Sequence, residues 1–232
     1  MFINGFDILW DEIDDYVADI QSIRSIDQLA FTKPVTFFCG ENGSGKSTLL
    51  EALAIKNGLN PEGGTRNYNF STYDSYSDLH NHMRLWRSRK PDWMYFLRAE
   101  SFYNVATKEM EYSGVFSERY HDQSHGQSFF SVLMKQTNKN GLYLLDEPEA
   151  ALSCQNQLAL LYLIQSCVKQ NCQFIIATHS PILLGFPGAQ ILSFDEGKVE
   201  GVDYKLTSSY QTMKLFLDRY DYFVKDIKEN EI

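Results

Sequence analysis

A chain of 232 residues with 44% hydrophobic, 22% charged and 14% aromatic residues is long and apolar enough for one well-buried core, which excludes a disordered polypeptide. Its formal net charge of -9 offers no general attraction to nucleic acid or to an anionic membrane surface, although a local basic patch could still supply one. No apolar run reaches the roughly 18–20 residues of a membrane helix, and the opening MFINGFDILWDEIDDYV has no basic leader and is broken by acidic residues, which argues against a signal peptide.

Val35 to Cys39 (VTFFC) is a β-branched and aromatic run ending at Gly40, the pattern of a buried strand that feeds a loop. From Ser47 the sequence turns helical, with Leu49, Leu50, Leu53 and Ala54 on one stripe and a stop at Asn57-Gly58. Gly58 to Pro91 is polar and aromatic, and is expected to form loops and short elements of a smaller second lobe. Trp93 to Leu97 is a further strand. Leu142 to Leu145 (LYLL) is another, ending in Asp146, and a helix follows in which Leu158, Leu161, Tyr162, Ile164 and Val168 are expected to share a face.

Phe174 to Ala177 (FIIA) forms a third buried strand, ending at Thr178-His179. Ile191–Phe194 and Lys198–Val202 pair as a hairpin across Asp195-Glu196-Gly197. A last helix carries Met213, Phe216, Leu217, Tyr220, Phe223, Val224 and Ile227 on an apolar face suited to core or subunit contact. Apolar strands alternating with amphipathic helices indicate an α/β fold, a mostly parallel sheet flanked by helices, and the chain reads as a single domain, 1–232. Ligands in such sheets bind at the carboxyl ends of strands.

The chemistry-bearing residues fall at those ends. Gly40, Glu41, Asn42, Gly43, Ser44, Gly45, Lys46 and Ser47 match G-x-x-x-x-G-K-[ST] in full. Glycines at this spacing let consecutive backbone N–H groups turn toward phosphate oxygens, Lys46 reaches the β- and γ-phosphates, and the Ser47 hydroxyl ligates Mg²⁺. An acidic pair after a buried strand is costly unless it points toward metal and water. Asp146 is therefore the second candidate for holding Mg²⁺, and Glu147 the candidate to deprotonate an attacking water. A neutral His179 at the next strand end could bond a γ-phosphate or that water.

In this order the motifs resemble the ABC-type ATPase superfamily. GENGSGKST, which includes Thr48, looks like its Walker A, LYLLDEPE like its Walker B, EAALS like its D-loop and ATHSP like its switch-histidine segment. Ser124-His125-Gly126-Gln127 is similar to the signature motif, with Ser124, Gly126 and Gln127 matching and His125 in place of a glycine. The family's glutamine expected after a strand is absent from Phe96–Ser101, where Arg98 or Glu100 stands in its place, and Tyr16 is a candidate for stacking on adenine.

DEPEAALS with ATHSP looks closer to soluble AAA-type members, which include relatives of DNA-repair and phage-defence proteins, than to transporter subunits. No heptad pattern between Thr48 and Ser124 provides the coiled-coil arm of chromosome-maintenance relatives. The resemblance implies ATP and Mg²⁺ as cofactors and a head-to-tail homodimer on ATP binding. It leaves room for a membrane permease, another protein or nucleic acid as partner.

Cys39, Cys154, Cys167 and Cys172 form no C-x-x-C pair, which fits a reducing cytoplasm. Arg84, Arg87, Arg89 and Lys90 beside Trp86 and Trp93 form a basic surface, solvated or subunit-facing, with single-strand nucleic-acid contact as the alternative.

Overall fold

The computed structural model describes residues 1–10, 13, 15–65, 76–98, 137 and 140–229. Five strands of its larger sheet run parallel: β3 (Val35–Cys39), β5 (Trp93–Arg98), β6 (Gly141–Asp146), β7 (Gln173–Ala177) and β8 (Gln190–Ser193). The order across the sheet is β5-β6-β7-β3-β8-β9, and β9 (Glu200–Gly201) closes the edge antiparallel to β8, as the hairpin reading requires. The larger sheet is mostly parallel with helices packed on both faces, the α/β arrangement expected from the sequence. Among the described residues no helix is long and apolar enough to cross a membrane.

The central strands are apolar throughout because both faces are covered. Phe38, Leu142, Leu144, Ile175 and Ala177 face one core, with α1 (Lys46–Lys56) packed on it through Leu49, Leu50 and Leu53. Val35, Phe37, Tyr143, Leu145, Phe174 and Ile176 face the other, which α2 (Cys154–Val168) covers through Leu160, Ile164 and Cys167. The period-2 alternation of strand side chains thus divides one sheet between two cores.

Three strands form a second, antiparallel sheet ordered β2-β1-β4, from β1 (Ile3–Ile8), β2 (Gln28–Ala30) and β4 (Met83–Arg87). The N-terminal strand is not evident in the sequence, because Asn4, Gly5 and Asp7 interrupt a short apolar run. β4 lies within Gly58–Pro91, while residues 66–75 of that stretch fall outside the described residues.

Two buried or half-buried glutamines join the sheets. Gln173 Oε1 accepts from the N–H groups of Phe2 and Ile3 at 2.6 and 3.0 Å while its Nε2 donates to Ile3 O at 2.7 Å. Gln190 Nε2 donates to Ala30 O at 2.9 Å, and its Oε1 accepts from Thr32 N–H at 2.8 Å. Each amide hydrogen-bonds through both its oxygen and its nitrogen to backbone groups across the seam.

Two helical expectations change. The buried face of α2 is Gln157, Leu160, Ile164 and Cys167, whereas Leu158 and Tyr162 are 49% and 79% exposed. LALLYLI is apolar nearly all round, so periodicity leaves the inward arc ambiguous, and it is set by contact with β7 and with the short helix Pro181–Leu184. The C-terminal helix is two helices, α3 (Ser208–Asp218) and α4 (Tyr220–Glu229), broken at Arg219, whose φ and ψ of -126° and 31° are not helical. Met213, Leu217, Tyr220 and Ile227 on these helices are exposed.

Arg87, Arg89 and Trp86 of the basic cluster contact their own fold. Arg87 Nη2 donates to Lys56 O at 3.1 Å, the Arg89 guanidinium lies 4.6 Å from the Phe2 ring centroid, and Trp86 Nε1 donates to Asp7 Oδ2 at 2.8 Å.

Candidate functional site

β3 ends at Cys39 and delivers Gly40 to Gly45 as a loop that caps α1. Gly43 and Gly45 have φ of 76° and 92°, left-handed conformations that strain any residue with a Cβ. At Gly45 space is also short, since a Cβ would lie 2.8 Å from Ile23 Cδ1 and 2.9 Å from Ile20 Cγ2. The short helix Gln21–Arg24 therefore packs directly against the loop, and Ser22 Oγ donates to Ser44 O.

Lys46 is buried at the first turn of α1 and donates from Nζ to Gly40 O at 2.9 Å, Glu41 O at 2.7 Å and Ser44 Oγ at 3.3 Å. Burial holds its pKa below the ordinary lysine value, opposed by the charges of Glu147, Asp195 and Asp146. Asp195 braces the loop: its Oδ1 accepts from Glu41 N–H and its Oδ2 from Ser193 Oγ, both at 2.9 Å. In the sequence Asp195 is only a hairpin-turn residue, and its role depends on β8 lying beside β3.

One residue past Lys46, Ser47 Oγ donates to Asp146 Oδ1 at 2.8 Å. β6 carries Asp146 to the same sheet end, where its side chain is only 7% exposed. A hydroxyl and a carboxylate side by side are hard oxygen donors, and Mg²⁺ is typically held by one or two such protein groups, waters and substrate phosphates. The pair fits that ion; among the described residues no group of three or more His, Cys, Asp and Glu side chains clusters as a metal site.

Glu147 turns the other way. Its φ and ψ of 47° and 51° are left-handed, its N–H is pinned to Ala177 O at 2.9 Å, and its side chain is 44% exposed. The reversal splits two consecutive carboxylates between a buried side and an open one. Glu147 Oε1 lies 3.6 Å from His179 Nε2, and Glu149 Oε1 accepts the His179 backbone N–H at 2.6 Å. Beyond it, Ser180 Oγ accepts from the N–H groups of Ile182 and Leu183 and donates to Gln157 Oε1 at 2.6 Å. Glu149, Ser180 and Gln157 thus anchor the segment bearing His179; DEPEAALS and ATHSP contain the first two, but only the α2 packing reveals Gln157 beside them.

Arg98 lies on the far side of Asp146, with Nη1 donating to Glu51 Oε2 and Nε 3.8 Å from Asp146 Oδ2. Tyr16 is 53% exposed, beside Thr48, with its hydroxyl pKa raised by partial burial and then by the charges of Glu51 and Asp15. Two hollows flank the loop, one of about 450 Å³ between Gly40, His179 and Phe216 and one of about 820 Å³ along Asn42, Ser44 and Gln211. Ser124, His125, Gly126, Gln127 and Glu100 lie outside the described residues.

Residues 18–80 match a family model described as an AAA domain, and residues 125–184 one described as an AAA ATPase domain. A Haemophilus influenzae protein named an uncharacterized ABC transporter ATP-binding protein is 27% identical, with 74% of each chain covered. Among solved structures, cbiO1 from Clostridium perfringens, part of the ABC transporter complex cbiONQ, is 17% identical over 97% of this chain and 100% of its own, with a TM-score of 0.46. The SMC head domain from Thermotoga maritima is 15% identical over 87% of this chain and 98% of its own, with a TM-score of 0.44.

Proposed function

We propose that this chain is a member of the ABC-type ATPase superfamily, a reading supported by its two AAA-type family matches and its Haemophilus influenzae relative, and that it is a Mg-ATP hydrolase whose ATP-bound form is a head-to-tail homodimer. ATP binding and hydrolysis go with the superfamily in general. The observation that carries the reading for this chain is convergence: the Gly40–Ser47 loop, Asp146, Glu147 and His179 stand together at the carboxyl ends of the neighbouring parallel strands β3, β6 and β7.

Backbone N–H groups of the loop and the start of α1 would take the phosphates, with Lys46 exchanging its carbonyl partners for β- and γ-phosphate oxygens. Ser47 and Asp146 would hold Mg²⁺, whose chemistry when bound is charge neutralisation at the phosphates. Glu147 would orient and deprotonate the attacking water, and His179 would donate to a γ-phosphate oxygen. Positioning and charge stabilisation supply most of the rate in phosphoryl transfer, so Glu149 and Ser180, which hold His179, belong to the machinery.

The dimer reading is supported by the exposure of Glu147 and His179, 44% and 36% at the side chain, on a face that a second subunit would have to cover to exclude water. Ser124, Gly126 and Gln127 of one copy would then meet the loop of the other. Residues 1–232 act as one ATPase domain in this scheme, and free cysteines at all four positions suit a cytoplasmic setting.

The deciding experiment is specific ATPase activity against protein concentration, with Glu147→Gln alongside. Activity per molecule that rises with concentration, absent in the variant, supports sites assembled between two subunits. Mg-ATP hydrolysis that proceeds normally in the variant sinks the assignment. The name of the Haemophilus influenzae relative favours a second reading, an ATPase subunit coupled to a permease. Recovery in the membrane fraction with a hydrophobic partner would support it.

A further inference from the structure

Asp146 divides its two carboxylate oxygens between unlike neighbours. Oδ1 accepts from Ser47 Oγ at 2.8 Å, while Oδ2 faces Arg98 Nε at 3.8 Å. The contact follows from topology: β5 and β6 are parallel neighbours, and Arg98 and Asp146 are register partners at their last residues. Glu51, one helical turn beyond Ser47 on α1, holds the guanidinium through Nη1. Side-chain exposure is 10% for Glu51, 7% for Asp146 and 27% for Arg98, so the three charges interact with limited screening by solvent.

A guanidinium does not give up its proton in a protein, so Arg98 is a permanent cation beside the oxygens that would bind a divalent ion. A glutamine, which the family resemblance leads one to expect after this strand, would be neutral. We propose that Arg98 is a positioning residue for Asp146 that makes metal entry conditional on nucleotide: its charge opposes a divalent ion at Ser47 and Asp146 until polyphosphate reverses the local balance. The proposal rests on the Mg-ATP reading of the same site. Glu51 anchors the guanidinium from the helix side, so the cation stays at the strand end whether or not phosphate is bound.

The test is Mn²⁺ binding to the full chain, followed by electron paramagnetic resonance, without nucleotide and with a non-hydrolysable ATP analogue. Without nucleotide, Arg98→Gln is expected to bind Mn²⁺ about tenfold more tightly than the wild type, by removal of one cation about 4 Å from the ligand carboxylate. Adding Asp146→Asn should abolish that gain, and Arg98→Lys, which keeps the charge, should resemble the wild type. A purely structural role would make the Lys and Gln variants alike and neither tighter.

Arg98→Met keeps the aliphatic stem and carries the same expectation if the Gln variant fails to fold. Unchanged or weaker Mn²⁺ binding in the neutral variants, with the wild type still binding Mn²⁺ together with the analogue, overturns the role of Arg98 alone. Absence of Mn²⁺ binding in every variant, with or without the analogue, overturns the metal reading and this proposal with it.

Discussion

Ser47 Oγ donates a 2.8 Å hydrogen bond to Asp146 Oδ1 across 99 positions of sequence, and it joins the Gly40–Ser47 loop to the acidic end of β6. Because Ser47 belongs to α1 and Asp146 to β6, the geometry of the pair is as rigid as the packing of that helix on the sheet. The Leu49, Leu50 and Leu53 side chains, fully buried against this core, provide that rigidity.

Lys46→Ala is expected to weaken ATP binding by about ten- to a hundredfold, the scale of one lost charge-assisted contact to phosphate. Stability should change little, because removing a buried ammonium also removes its desolvation cost. Titration with a fluorescent ATP analogue and a parallel thermal melt check both halves, and equal affinity in the variant would remove Lys46 from the site.

Glu147→Gln keeps the side-chain shape and loses the carboxylate proposed as the base. Hydrolysis should fall by about a hundredfold or more while ATP is retained, and the retained nucleotide should accumulate the dimer. Size-exclusion chromatography with light scattering, with and without Mg-ATP, reads the second effect. A variant that stays monomeric with ATP bound argues against the dimer.

Gly43→Ala and Gly45→Ala separate backbone strain from crowding. Both residues have positive φ, worth about 1–2 kcal/mol of strain with a Cβ. Nothing lies within 4 Å of a Cβ at Gly43, whereas one at Gly45 meets Ile20 and Ile23. Urea denaturation should show the Gly45 variant as the less stable by about 1–3 kcal/mol, the usual range for overpacking. Equal midpoints would mean that the Gln21–Arg24 helix yields without cost.

Thiol labelling probes the core. Cys154 is exposed at the first turn of α2, whereas Cys39 and Cys167 are buried and their thiols pushed up to about 11 by burial. At pH 8 a maleimide should modify Cys154 first, with Cys39 and Cys167 reacting only after denaturant is added; intact-mass spectrometry counts the adducts. Rapid modification of Cys39 in the folded protein would mean that β3 and the loop it feeds open readily.

What the amino-acid order determined by itself is local. Gly40 to Ser47 makes its turn from eight consecutive residues, and VTFFC, LYLL and FIIA announce strands covered on both faces, because contacts one or two residues apart impose their period on composition. What only tertiary structure decided is every partnership between elements: Arg98 beside Asp146, Asp195 under Glu41, Gln173 joining β1 to the parallel sheet, and the face of α2 that turns inward. Those depend on strand order and register, which bring together residues such as Glu41 and Asp195 from 154 positions apart, and no periodicity within a single segment encodes a distance of that kind.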